Sequence, residues 1–256
     1  MSMEPADLPI VDVDVPATWP RPLADLVGEL ADDARHAGHA PEYYQDLDLS
    51  SYEDTVLAHL EGHLVRARHH TRLLDHEKDA IRAQGLRLLT DQLVNDRLDQ
   101  AHALGYLSEA EHGALRSVNE TVPEQRGWGR REDQVCLTLS AAPQTHHVDG
   151  IHRLLTYWGG EAIYWQHCEG SPALSDKLRS LGVPSVVTAL LDLSTPVREG
   201  HSIFPSVVHV FVGKALGHEP ADADVFYRSP IPPQRIESIV SPGDQAYDRF
   251  PDLPRG

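Results

Sequence analysis

The chain contains few cysteines and no long apolar run. Only two of its 256 residues are cysteine, Cys136 and Cys168, which excludes a disulfide-stapled scaffold and is typical of proteins in a reducing compartment. No stretch of 18 apolar residues occurs, so the sequence predicts no membrane span. The first residues are acidic and lack the basic and apolar segments of a secretion signal. We therefore expect a cytoplasmic protein that does not enter a membrane.

Basic residues are scarce, and lysine is the scarcest of them. Lys and Arg total 22 against 39 Asp and Glu, which gives a formal net charge of −17. Proteins that bind nucleic acid usually carry a basic footprint. The charge balance therefore argues against broad binding to nucleic acid or to an anionic membrane. Glycine-rich phosphate loops of the Gly-x-Gly-x-x-Gly or Walker type are also absent, which disfavours a Rossmann or P-loop enzyme.

The apolar pattern changes near the middle of the chain. Hydrophobic residues make up 41% of the sequence, which is ordinary for a folded domain. Helical spacing and capping residues predict helices at 21–36, 50–64, 75–84, 90–104 and 108–118. After the polar segment 121–133, Val-rich and Leu-rich runs predict strands at 135–139, 184–193, 207–212 and 235–240, with helices at 148–158 and 172–181.

These patterns together predict an α+β fold. We expect an arm and helices over 1–63, packed on a mixed β-sheet that belongs to a domain over 64–256. The predicted helices at about 90–120 form an insertion in that domain. A chain of this length buries a sufficient core without a disulfide or a metal.

The first candidate site is the segment His69-His70-Thr71-Arg72. It is either the end of the preceding helix or a short strand. In a strand, His69 and Thr71 project from the same face because side chains alternate. Both can hydrogen-bond the hydroxyls of a ligand. An alternative interpretation is that the arginines and histidines form a solvated basic edge.

The second candidate site is the turn Gly159-Gly160-Glu161 and the segment Ala162–Trp165 after it, which we expect to be a short strand. Paired glycines permit positive φ and a close approach of a ligand to the backbone. The aromatic residues beside them supply a stacking surface. The alternative is a tight helix-to-strand turn whose aromatic side chains belong to the core.

A third candidate is a cluster of possible metal ligands. His146, His147, Asp149 and His152 fall within seven residues, and this donor set suits zinc or iron. No His-Glu-x-x-His or Cys-x-x-Cys motif accompanies the cluster. The chain has 16 histidines, so we expect clusters of this kind by chance and do not assign a metal.

The His-x-Thr segment, the following helix that ends in Gly85-Leu86 and the Gly-x-x-Ile-Tyr segment at 160–164 resemble the ADP-ribosyltransferase-like fold. Poly-ADP-ribose polymerases and NAD-dependent RNA 2′-phosphotransferases share this fold. The chain is also similar to uncharacterised bacterial proteins with a Trp-Gly-Gly-Glu-Ala core. The resemblance implies NAD as substrate and an ADP-ribosyltransferase or NAD glycohydrolase activity that cleaves the nicotinamide–ribose bond.

The resemblance also implies roles for individual residues. His69 would contact the adenosine ribose, Thr71 would help to hold the nicotinamide, and the ring of Tyr164 would stack on it. Arg72 and Gly160 complete the expected NAD-binding set.

The sequence departs from the family pattern at several points. His70 stands where the family has glycine, and the long helical insertion follows the first motif. The catalytic acid, which the family carries on a late strand, has two candidates, Glu161 and Glu237, of which we favour Glu161. Two other functions remain open: a metal-dependent enzyme built on the histidine cluster, and a non-catalytic protein whose acidic surface binds a basic partner. The ADP-ribose acceptor is not identified.

Overall fold

The computed structural model describes residues 8–36, 47–122, 131–145, 149–167, 170–194, 200–218 and 223–256. The strands in these residues are β1 Ile10–Val11, β2 Leu64–Leu73, β3 Val135–Thr138, β4 Val183–Leu191, β5 His201–Phe204, β6 Asp224–Tyr227 and β7 Ile236–Val240. The α-helices are α1 Arg21–His36, α2 Glu53–Leu60, α3 Asp75–Gln84, α4 Asp91–Ala103, α5 Glu109–Ser117, α6 Asp149–Thr156, α7 Glu161–Tyr164, α8 Pro172–Ser180, α9 Val207–Ala215 and α10 Gln245–Asp248.

The strands form one mixed sheet in the order β5-β6-β3-β2-β4-β7. Neighbours along this path are antiparallel, and β1 adds to β2 in parallel. The predicted α+β class and mixed sheet are therefore confirmed. No helix in the described parts of the chain is long and apolar enough to cross a membrane.

The N-terminal helices pack on this sheet through a shared core. Leu23, Val27 and Leu30 form one buried face of α1, at the helical spacing seen in the sequence. These side chains belong to the same apolar cluster as Val187 of β4 and Phe211 of α9. Hydrophobic burial thus joins the first helix to the centre of the sheet.

Local capping chemistry places α4 and α5 where the sequence predicts them. The hydroxyl of Thr90 accepts a hydrogen bond from the Leu93 amide at 3.1 Å. Ser108 and Glu111 form a reciprocal capping box at the start of α5. Such caps act over three residues, so the sequence alone specifies them.

Two predicted strands are wrong, because both segments are helical. The run from Val207 is helix α9, and it is buried on every side. An apolar run that is buried all round has no periodicity that distinguishes strand from helix. The segment after Gly160 is the short helix α7, in which the amides of Ile163 and Tyr164 bond to the carbonyl of Gly160.

Candidate functional site

Strand β2 carries the first candidate motif and is paired unequally along its length. It pairs with β4 at every position from Val65 to Leu73. Its register with β3 contains one pair, Arg68 with Thr138. Beyond Arg68 the two strands share no registered pair, although both are fully described. Side chains from this part of β2 therefore have room beside β3.

A cavity of about 350 Å³ lies beside this part of β2. This volume is at the small end of the range of about 300–1,000 Å³ for ligand sites. Helices α3, α4 and α6 wall the cavity together with β3, β6 and the Gly159–Ala162 segment. The apolar part of the lining comes chiefly from Leu73, Ile81, Leu86, Leu89, Leu93, Val135, Leu137, Ile151, Leu154 and Phe226. The cavity is therefore a mainly apolar site into which a few polar groups project.

His69 lines the cavity, and its neighbours determine its protonation state. Its Nδ1 lies 2.8 Å from the carbonyl oxygen of Cys136. A carbonyl only accepts, so Nδ1 carries the proton and Nε2 has a lone pair. Burial lowers the pKa of His69, the Cys136 carbonyl opposes this shift, and the nearby charge of Arg97 adds to it. The neutral ring therefore presents a hydrogen-bond acceptor, as recognition of a ligand hydroxyl requires.

Thr71 and the end of helix α3 lie on the same cavity. The alternation along β2 puts Thr71 on the face that His69 occupies, as predicted. Helix α3 ends at Gly85, which has φ of +81°. A Cβ there would overlap the carbonyl oxygen of Ile231, so only glycine permits the backbone bridge between Leu86 and Ile231. This close approach places Leu86 in the cavity wall.

The glycine turn also reaches the cavity. Gly159 and Gly160 have φ of +99° and +68°, as paired glycines permit. Both line the cavity together with Glu161, the first residue of α7. Glu161 is partly buried, and its Oε2 lies 3.2 Å from Nε of Arg131. The structure thus brings four predicted residues to one cavity: His69, Thr71, Gly160 and Glu161.

Tyr164 and Arg72 do not line the cavity, which corrects two assignments. Tyr164 is fully buried in an apolar cluster, and its ring centroid is 5.3 Å from that of Tyr157. The helical turn of α7 directs it there, whereas we expected a strand. Arg72 alternates to the other side of β2, where its Nε donates to the carbonyl of Leu181 at 2.6 Å. This hydrogen bond links β2 to the residue that follows α8, so Arg72 is not available to a ligand in the cavity.

Glu237 also lies outside the cavity. It is on β7, and both of its oxygens accept from the guanidinium of Arg66. Arg66 also donates to Asp12 at 2.8 Å, and these carboxylates raise its pKa against the opposing effect of burial. Glu237 is therefore half of a structural ion pair, and we withdraw it as a candidate catalytic acid.

A second carboxylate, Asp224, lines the cavity at the start of β6. The guanidinium of Arg131 pairs with Glu161, and its Cζ lies 5.1 Å from the ring centroid of Phe226. Burial lowers the pKa of Arg131, but its interactions with Cys136 and with the negative charges of Glu161 and Asp224 raise it overall; the two carboxylates supply the attraction at neutral pH. Glu161, Asp224, Arg131, Cys136 and Phe226 are called the acidic end of the cavity from here on.

Cys136 contributes a thiol to the acidic end. Burial raises its pKa to about 11, and the nearby Arg131 only partly offsets the effect. The thiol therefore keeps its proton at neutral pH and is a poor nucleophile. Cysteine-based catalysis is not favoured at this site.

Another part of the cavity wall contains a network of hydrogen bonds around Glu77. Its two oxygens accept from Nε of Arg97 at 2.6 Å, from the Leu74 amide at 2.8 Å and from the indole of Trp158 at 2.8 Å. The guanidinium of Arg97 also stacks over the indole of Trp158 at 5.2 Å. Burial alone would raise the pKa of Glu77, but Arg97 and these hydrogen bonds hold it below its usual value. This ion pair fixes α3, α4 and the glycine turn around the cavity.

The predicted metal cluster falls largely outside the described residues. His146 and His147 are not described, nor is the side chain of Asp149, and His152 is a half-buried residue of α6. Within the described ranges, no group of three or more His, Cys, Asp or Glu side chains could hold a metal ion. The structure therefore adds no support for a metal centre.

Sequence reasoning missed Asp224, Arg131, Glu77 and Arg97. Asp224 begins a strand of four residues, Asp-Val-Phe-Tyr, whose alternation of polar and apolar residues is a weak signal at that length. Arg131 lies in the polar segment 121–133, which has no periodicity. The two members of the Glu77–Arg97 pair are 20 positions apart, and no local pattern connects them.

No family model, curated protein or solved structure matches the chain. A functional assignment must therefore come from the chemistry of the cavity.

Proposed function

We propose that the cavity binds NAD and that the protein cleaves the bond between nicotinamide and ribose, as an ADP-ribosyltransferase or an NAD glycohydrolase. We also propose that the mixed sheet is of ADP-ribosyltransferase-like type. The observation that carries the proposal is the meeting of His69 and Thr71 with two carboxylates, Glu161 and Asp224, around one apolar cavity. In the sequence, His69 and Thr71 precede Glu161 and Asp224 by more than 80 residues.

The neutral ring of His69 suits a ribose hydroxyl. Its Nδ1–H donates to the Cys136 carbonyl, so the hydroxyl donates to Nε2. Thr71 adds a hydroxyl that both donates and accepts. The apolar wall offers a surface against which the rings of the ligand can pack.

The carboxylates supply the electrostatic part of the reaction. As the glycosidic bond lengthens, its electron pair moves to the nicotinamide nitrogen and positive charge develops on the ribose. A fixed carboxylate close to that charge lowers the barrier. Glu161 is the acid that we favoured from the sequence. Asp224 belongs to a late strand, the position at which the family carries its acid, and we propose it as the second candidate.

Two substitutions and a matched control test this proposal. Nicotinamide release from NAD is measured for the wild type and for Glu161→Gln, Asp224→Asn and Glu237→Gln. Loss of a transition-state electrostatic contact costs about 10²–10³-fold in turnover. We expect a loss of this size for Glu161→Gln, for Asp224→Asn or for both. Glu237→Gln removes a carboxylate outside the cavity, so we expect its turnover to stay close to that of the wild type.

Binding is measured in parallel by thermal unfolding with and without millimolar NAD. A ligand that binds only the folded state raises its stability. Absence of a shift and of nicotinamide release from the wild type would exclude the proposal. A shift without release would leave an NAD-binding protein that does not cleave its ligand.

A further inference from the structure

The acidic end of the cavity contains a planar cation that the chain itself supplies. Nε of Arg131 lies 3.2 Å from the Glu161 carboxylate, and its guanidinium stacks on Phe226 with Cζ 5.1 Å from the ring centroid. Asp224 adds a second negative charge on the same side. An aromatic face next to carboxylates is a recognised arrangement for binding a flat cation.

Arg131 is held less tightly than Arg97, another partly buried arginine of the cavity wall. Its side chain is 38% exposed and that of Glu161 is 27% exposed, and ion pairs that are open to solvent contribute only about 0–1 kcal/mol. The contact from Nη1 to the Cys136 sulfur is long, at 3.9 Å, and sulfur is a weak acceptor. Arg97 differs, because its partner Glu77 is only 8% exposed and their atoms are 2.6 Å apart. A ligand can therefore displace Arg131 far more easily than Arg97.

An exposed phenyl ring extends the aromatic surface beside the acidic end. Phe204 pairs directly with Asp224 across β5 and β6. Directly opposed residues of antiparallel strands share one face of the sheet, so Phe204 lies on the face that Asp224 occupies. Its side chain is 58% exposed, which is unusual for a phenylalanine and places an apolar ring next to the carboxylate.

We infer that the acidic end is a subsite for the planar cation of a ligand, and that Arg131 occupies this subsite until such a cation displaces it. The natural occupant follows from the proposed function, on which this identification rests. The nicotinamide ring of NAD is a planar pyridinium cation. When the glycosidic bond breaks, its electron pair neutralises the ring and an acceptor nucleophile captures the ribose carbon. Neutral nicotinamide then competes poorly with Arg131, whose return favours release of the product.

The test compares two ligands of nearly the same shape, 1-methylnicotinamide, which is cationic, and nicotinamide, which is neutral. Their affinities are measured by calorimetric titration for the wild type, Arg131→Gln and Arg87→Gln. Arg87 also lines the cavity, but its ion-pair partner is Asp96, at 3.2 Å, and not a carboxylate of the acidic end, so Arg87→Gln is the matched control.

We expect Arg131→Gln to bind 1-methylnicotinamide about threefold to fivefold more tightly than the wild type does, since one solvent-exposed ion pair no longer competes. Nicotinamide binding stays within about twofold of the wild-type value, and Arg87→Gln changes neither affinity. Arg131→Lys keeps the charge but loses the planar stack on Phe226, and we expect an intermediate gain. Thermal unfolding of each variant verifies that it folds.

Three results would overturn the inference. Weaker binding of the cation by Arg131→Gln would mean that Arg131 itself binds the ligand. Equal gains for both ligands would mean that Arg131 only fills space. Absence of cation binding in every variant would mean that there is no such subsite. NAD cleavage is assayed separately, so a gain specific to the cation without cleavage would refute the proposed function and leave the subsite intact.

Discussion

The two halves of β2 have the same backbone conformation but different environments. The first half, Leu64–Arg68, lies among three strands, since β1 pairs with its start, β3 pairs with Arg68 and β4 runs along it. The second half, His69–Leu73, has registered pairs with β4 alone. Where pairing with β3 ends, side chains gain space beside the strand, and the cavity lies there.

The side chains follow the same division. In the first half, Arg66 and Arg68 are closed into ion pairs with Asp12, Asp14 and Glu237. In the second half, His69 and Thr71 face the cavity. The basic residues that resembled one continuous edge in the sequence thus have two roles. The first half stabilises the fold, and the second half is available for binding.

The largest effect that we expect is on the first half. Nη2 of Arg68 lies 3.1 Å from the carboxylate of Asp14 and 3.5 Å from that of Asp12, and its side chain is only 7% exposed. Removing one partner of a buried ion pair costs about 3–5 kcal/mol. We expect Arg68→Met to lower the free energy of unfolding in urea by this amount, with ligand affinity of the folded protein unchanged. A loss below about 1 kcal/mol would show that the ion pairs in the first half of β2 contribute little to the stability of the fold.

The next effect concerns Cys136, which borders the gap between β2 and β3. Burial raises its pKa to about 11 from an ordinary 9.0, so its thiolate fraction is about 100-fold lower than that of a free thiol. Iodoacetamide should therefore alkylate Cys136 at least about tenfold more slowly in the native protein than in urea, because the greater nucleophilicity of a more basic thiolate offsets only part of the lower thiolate fraction. Mass spectrometry of the Cys136 peptide measures both rates. Similar alkylation rates in the native protein and in urea would mean that water reaches Cys136 through the gap between β2 and β3.

A smaller effect is expected from His69 in the second half. His69→Ala removes the acceptor that we assign to a ribose hydroxyl, and one such hydrogen bond accounts for about tenfold in affinity. We expect this weakening in an NAD titration. The cost in stability should be only about 1 kcal/mol, because the ring is half-buried and makes one hydrogen bond. A large loss of stability with unchanged affinity for NAD would mean that the second half of β2 stabilises the fold and does not bind the ligand.

The last prediction concerns the dependence of stability on pH. Burial lowers the pKa of His70 to about 3, with further contributions from His69 and Arg68. The unfolded chain binds this proton below about pH 6.5, whereas the folded chain does not. The stability contribution is therefore complete above pH 6.5 and is lost as the pH falls from 6.5 towards 3, by up to about 1.4 kcal/mol per pH unit.

Urea unfolding at pH 7, 6 and 5 measures this slope. We expect His70→Gln to reduce it by up to about 1.4 kcal/mol per pH unit. His36→Gln, in which an exposed histidine is replaced, serves as the control and should leave the slope unchanged. The same slope in both variants would contradict a neutral, buried His70.

Prediction from the sequence succeeded where the signal was local. The caps at Thr90 and Ser108, the apolar face of α1 and the positive φ of Gly159 and Gly160 depend on neighbours that are no more than four positions apart. The prediction that His69 and Thr71 share a face needed only the two-residue period of a strand. It failed for α9, where burial on all sides removes the periodicity, and for α7, whose four residues are too few to show a period.

The residue types in this chain were enough to specify helices, turns and one pair that faces the cavity, because backbone sterics and capping bonds act over a few residues. Which polar groups meet depended on the strand order and on the missing pairing between β2 and β3. These features brought Glu161, Asp224 and Arg131 together beside His69. They also left Tyr164 in the core and Glu237 in an ion pair. Contacts between residues so far apart in sequence depend on the packing of the whole sheet, and no local pattern encodes that packing.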